Sequence, residues 1–121
     1  MKSKYMLFEE LPVWEDSQKL AVEIYQDFRE CRDFSFFDQI KRAVVSISNN
    51  IAEGAERTSY ADFARFLDIA KGLAGEVRSM LHLAEKLEFI SKSTREARHE
   101  ACTQISKQLS GFTKHLRNST N

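Results

Sequence analysis

Proline is almost missing from this chain of 121 residues: Pro12 stands alone, beside four glycines and two cysteines. A chain so poor in helix breakers, and rich in Ala, Leu, Lys, Glu and Arg, is predicted to be helical. Cys31 and Cys102 show no C-x-x-C step and no zinc spacing. Two isolated thiols fit a reducing compartment, where cysteine serves as a small apolar residue. Net charge is lacking too: 18 basic residues balance 18 acidic ones. That removes any whole-chain argument for nucleic-acid or membrane binding. No apolar run is long enough to span a membrane, and Met1–Glu10 reads as no secretory signal, so the cytoplasm is the expected location. Catalytic signatures are absent as well. There is no Gly-x-Ser-x-Gly and no supported Cys–His pair, and no Lys-Ser or Lys-Thr follows Gly72 or Gly75 as a phosphate loop requires. The expectation is therefore no catalytic residue and no cofactor.

What is present reads as one domain over residues 1–121, with a short arm at about 1–11 and a frayed tail at about 118–121. Leu11-Pro12 marks a helix entry, because proline fits the first helical position. The first helix is predicted from about Pro12 to Cys31. Three further starts share a Ser three residues before an acid: Ser35 with Asp38, Ser59 with Asp62, and Ser93 with Glu96. The hydroxyl can cap free N–H groups and the acid favours the positive helix end. These place helices at about Phe36–Glu56, Tyr60–Leu87 and Thr94–Arg117. Short connections favour antiparallel neighbours, which gives an all-α, up-down-up-down four-helix bundle.

The second helix carries two interleaved rows. Phe37, Ile40, Val44, Ile47 and Ile51 step by three and four and form an apolar stripe. Gln39, Arg42, Ser46, Asn50, Glu53 and Arg57 step likewise and form a polar ridge beside it. Amides, a hydroxyl and opposite charges in one row suggest a structural hydrogen-bonding network at a helix–helix or subunit contact. Glu53 is expected to pair with Arg42 or Arg57, and Asn50 to bond across a helix contact. The competing reading makes Glu53 the centre of a ligand-binding or enzymatic site.

The third helix has an apolar face that looks wider than one neighbour needs. Phe63, Phe66, Ala70, Leu73, Val77, Met80, Ala84 and Leu87 form one row, and Tyr60, Leu67, Ala74 and Leu81 a second. With Val45 and Ala52 on the far side of the second helix, this argues for a homo-oligomer. Gly72 and Gly75 interrupt the third helix, at about 1 kcal/mol each against alanine. Close packing against another helix is the expected reason.

Metal is not expected. Di-iron bundles need two Glu-x-x-His steps, and only Glu96–His99 fits. His82, His99 and His115 are expected to stay apart. Residues 91–121 hold six basic residues against two acidic ones. Lys92, Arg95 and Arg98 cluster in that stretch and, repeated around an oligomer, form a candidate phosphate-binding patch for weak RNA binding.

The run Arg42, Ser46-Ile47, Asn50-Ile51-Ala52-Glu53-Gly54 and Arg57 resembles the signature of the bacterial four-helix bundle proteins first noticed in intervening sequences of 23S ribosomal RNA genes. Phe8, Leu11, Val13-Trp14 and Ile24-Tyr25 are similar to that family's first helix. Phe63, Phe66-Leu67, Ile69-Ala70, Gly72 and Glu76 are similar to its third. The resemblance implies a homo-oligomer, typically a pentamer, with no known catalytic activity. It also implies kinship with the pentameric, basic accessory proteins of diversity-generating retroelements, which bind a reverse transcriptase and RNA. The sequence thus points first to a non-catalytic oligomeric scaffold that binds itself and an unidentified protein. An RNA-binding accessory protein is the second reading, and a small-ligand binder or enzyme around Glu53 the third.

Overall fold

The computed structural model describes residues 7–119. A 3-10 turn at Phe8–Glu10 leads into four helices: α1 (Pro12–Asp27), α2 (Phe34–Ala55), α3 (Tyr60–Lys86) and α4 (Lys92–Arg117). Residues 7–11 of the arm expected before Pro12 therefore have structure of their own, and the rest of that arm lies outside the described residues. Phe8 packs edge-on against Trp14, with ring centroids 5.2 Å apart. The tail expected at 118–121 lies partly outside the described residues.

Local chemistry explains each boundary. Pro12 occupies the first turn of α1, where its missing N–H costs nothing. The helix stops at Asp27, four residues short of the predicted end. Phe28 is fully buried and anchors a turn in which the Cys31 amide donates to the Phe28 carbonyl at 2.9 Å. Ser59 caps α3 as predicted, accepting from the Asp62 amide at 3.1 Å. The other two predicted caps are corrected. Asp33, not Ser35, accepts from the Phe36 amide at 3.0 Å, and Ser91, not Ser93, accepts from the Thr94 amide at 3.1 Å. Both helices therefore start two residues early, because a stronger or equal cap lies just upstream of the predicted one.

The helices close a ring in which α1 touches α2 and α4, and α3 touches α2 and α4. Rising residue numbers on one helix meet falling numbers on the next. Asp16 meets Gln108 while Asp27 meets Arg98, and Phe63 meets Phe112 while Glu85 meets Arg95. One hydrophobic core fills the centre, with Leu20, Ile24, Phe28, Ile40, Ile47, Ile51, Phe63, Leu67, Leu81, Ile105, Leu109 and Leu116 almost wholly enclosed. Each such side chain contributes about 1.5–3 kcal/mol by leaving water. Buried hydroxyls are bonded: Ser17 donates to the Val13 carbonyl at 2.7 Å, and Ser48 accepts from Gln18 Nε2 at 2.9 Å.

The breadth of the α3 face has an explanation within the chain. Both of its rows are buried from Tyr60 to Ala84, except for half-buried Leu73, because α3 packs on α2 and α4 at once. That face consequently leaves little apolar surface for another subunit, and its width is no sign of an oligomer.

Candidate interaction surface

The polar ridge of α2 lies mostly in solvent. Gln39, Arg42, Glu53 and Arg57 are exposed, and Ser46 and Asn50 half-buried. Arg42 does not reach Glu53. Its Nε donates to Asp38 Oδ2 at 3.1 Å, one turn back on the same helix. Asn50 bonds to the Ser46 carbonyl of its own helix at 2.8 Å, so within the chain it crosses no helix contact. Glu53 pairs with Arg57 at 3.9 Å, and its side chain is 60% exposed. Such a loose pair contributes little to stability.

Arg57 is the better-placed member. It lies 3.7 Å from Asp62, which also holds Arg65 at 3.0 Å. Both guanidinium carbons sit 4.5 Å from the Phe66 ring centre. The two cations, the Asp62 carboxylate and the Phe66 ring tie the end of α2 to the start of α3.

Sequence reasoning missed the glycine that matters at this corner. A Cβ on Gly54 would lie 2.8 Å from both Phe63 Cδ1 and Phe66 Cβ. Close approach of α3 to α2 thus demands glycine there. A Cβ on Gly72 or Gly75 would meet nothing within 4 Å, so neither packs closely inside the chain. The available signal was chemical: Gly54 follows the Ile47–Ile51 stripe by one more step of three, so it continues the buried side of α2.

The basic patch is also rearranged by folding. Lys92 is exposed. Arg95 Nε donates to Glu85 at 2.7 Å, and Arg98 binds Asp27 through Nε at 2.6 Å and Nη2 at 2.9 Å. The Asp27 hydrogen bond pushes the Arg98 guanidinium above its ordinary value, more than burial lowers it. Two of the three cations are therefore neutralised within the subunit. Beside Arg98, a groove of about 370 Å³ runs between α1 and α4, with Asp16, Lys19, Glu23 and Glu100 around Leu20 and Ile105.

The histidines depart from expectation. His82 on α3 and His99 on α4 meet with ring centroids 5.0 Å apart. His115 is exposed near the end of α4. Among the described residues, no group of three or more His, Cys, Asp and Glu converges to hold a metal ion. No helix among them is long and apolar enough to cross a membrane.

Fold and surface together define an all-α four-helix bundle whose better-buried ion pairs, Arg95–Glu85 and Arg98–Asp27, join one helix to another. The chain belongs to the 23S rRNA-intervening sequence protein family, whose model matches residues 9–111. It is similar to the crystal structure of a protein of unknown function from the S23 ribosomal protein family of Bacteroides thetaiotaomicron. The two are 33% identical with a TM-score of 0.79, over 84% of this chain and 98% of the other. No curated protein matches the chain.

Proposed function

We propose that this protein is a non-catalytic, cytoplasmic, homo-oligomeric scaffold, an antiparallel up-down-up-down bundle that assembles with itself and presents a partner-binding surface. One observation carries the reading: the family motif on α2 splits into two sides. Ile47, Ile51 and Gly54 are buried and build the core, while Arg42, Glu53 and Arg57 are exposed and Ser46 and Asn50 half-buried. The core makes no demand on the second set. Half-buried Val45 and Ala52 flank it, and exposed Tyr25 of α1 lines a shallow depression with Val45 and Ser46. A polar rim around modest apolar area is the usual composition of a protein contact. A pentamer is the assembly that the family resemblance implies.

The RNA reading draws less support from the geometry, since Arg95 and Arg98 are held by Glu85 and Asp27. No observation favours a ligand site at Glu53, which lines only a shallow surface depression with Phe8, Ala52, Glu56 and Arg57. Mass measurement in solution at micromolar concentration tests the scaffold proposal. The wild-type chain is expected as an oligomer, with Val45→Glu reducing its mass while helical content stays constant. A monomeric wild type overturns the proposal.

A further inference from the structure

Sequence spacing gives no hint that His82 and His99 are neighbours; the α3–α4 packing makes them so. Their rings stand 5.0 Å apart between centroids, with planes inclined at 74°. His82 is exposed and His99 half-buried, so the pair lies at the solvent edge of the seam. We propose that His82 and His99 form a two-imidazole binding site for a late first-row divalent cation, with Zn²⁺, Ni²⁺ and Cu²⁺ as the class of ligand.

The separation fits that use. A metal held at about 2.0–2.1 Å by one nitrogen of each ring, with the two nitrogens adjacent in the coordination sphere, sets ring centres about 4.5–5.2 Å apart. The rings hang from two different helices whose packing fixes the distance. Little ordering is left for the metal to impose, and the chelate would pin α3 to α4 at this height of the bundle.

The donor set also chooses the metal. Imidazole suits zinc, copper and nickel, whereas magnesium and calcium require oxygen ligands. Cys102, one turn beyond His99, is not a third ligand. It is fully buried, and burial pushes its thiol up to about 12. Water supplies the remaining coordination positions from the open side.

The charged surroundings bear on both metal and proton. Arg78 approaches from α3, and Arg95 and Glu100 from α4. Burial, then His82, Arg78 and Arg95, hold His99 below its ordinary value, against the opposite pull of Glu100. A neutral imidazole is the ligating form. The arginines oppose a bound cation, but Arg95 is already engaged by Glu85 at 2.7 Å, which offsets its charge. Two ligands, with Arg78 facing the site against Glu100, set a modest affinity.

Calorimetric titration of the untagged full-length chain with ZnCl₂ and NiCl₂ at neutral pH tests the site, with MgCl₂ as control. One Zn²⁺ or Ni²⁺ per chain is expected, with no Mg²⁺ binding. Even outer partners of a metal ligand are worth about 10-fold in affinity, so His82→Gln and His99→Gln should each weaken binding by at least roughly that factor. His115→Gln should bind as wild type does. Circular dichroism checks that the variants fold, and exposed His82 supplies a test even if His99→Gln does not. No zinc or nickel binding by the wild type overturns the proposal. So does binding that a folded His82→Gln or His99→Gln variant retains in full.

Discussion

Arg98 grips both carboxylate oxygens of Asp27, with Nε to Oδ2 at 2.6 Å and Nη2 to Oδ1 at 2.9 Å. The pair joins the last residue of α1 to the first third of α4, with the two side chains 22% and 11% exposed. Planar two-point geometry and partial burial set it apart from the loose surface pairs of α2. Asp27→Asn should cost about 2–3 kcal/mol, below the roughly 3–5 expected of a fully buried pair. Arg98→Glu should cost more, since it places a third carboxylate beside Asp27 and Glu23. Chemical denaturation of the two variants measures both. A change under about 0.5 kcal/mol for either would show that the bridge is only a surface ion pair.

The end of α3 stores strain that one substitution should release. Glu88 has φ of 63°, in the left-handed region that favours glycine. Its amide donates to the Glu85 carbonyl and the Phe89 amide to the Ala84 carbonyl, both at 2.9 Å, which together form a Schellman cap. A non-glycine residue costs about 1–2 kcal/mol in that conformation. Glu88→Gly should recover about 0.5–1 kcal/mol after the greater entropy of glycine in the unfolded chain is counted. A rise in melting temperature is the expected reading, and a fall would show that the Glu88 side chain stabilises the turn.

The residues show where sequence reading reached and where it stopped. The four helices were legible because their apolar periodicity is long and regular, and α3 ends within one residue of its predicted limit. Cap identity was less legible, since Asp33 and Ser91 compete with Ser35 and Ser93 two residues later and only the backbone geometry decides. The width of the α3 face is legible in the sequence, but a row of apolar residues does not say whether the second neighbour is another helix or another chain. The Arg98–Asp27 bridge and the His82–His99 pair join residues 71 and 17 positions apart. No local spacing encodes such contacts; they follow from how the helices are stacked.

Thiol reactivity should separate the two cysteines. Cys102 is fully buried, and burial raises its thiol to about 12. Cys31 is half-exposed. The thiolate is the reactive form. A disulfide reagent at pH 8 should therefore modify Cys31 first, and Cys102 only as the bundle opens. Cys31→Ser should abolish the fast phase. A fast phase that survives this change would mean that the α3–α4 seam opens readily at Cys102.

Three glycines in helices should answer alanine with opposite signs. Alanine gains roughly 1 kcal/mol over glycine in a helix interior. At Gly54 that gain meets Phe66 Cβ and Phe63 Cδ1 at 2.8 Å and the Phe63 carbonyl oxygen at 3.2 Å. The Phe63 ring can shift, but the Phe66 Cβ and the backbone oxygen cannot move without displacing α3. Overpacking of this kind costs about 1–3 kcal/mol, so Gly54→Ala should be destabilising on balance. At Gly72 and Gly75 nothing lies within 4 Å of the added methyl group, and each substitution should stabilise the chain by about 0.5–1 kcal/mol. Melting temperature and solution mass, measured together, test whether these two glycines serve a subunit contact. With assembly proposed on the outer face of α2, Gly72→Ala and Gly75→Ala should raise the melting temperature and leave the mass unchanged. A drop in mass would instead place a neighbouring copy against α3, where the missing methyl groups leave room for its backbone.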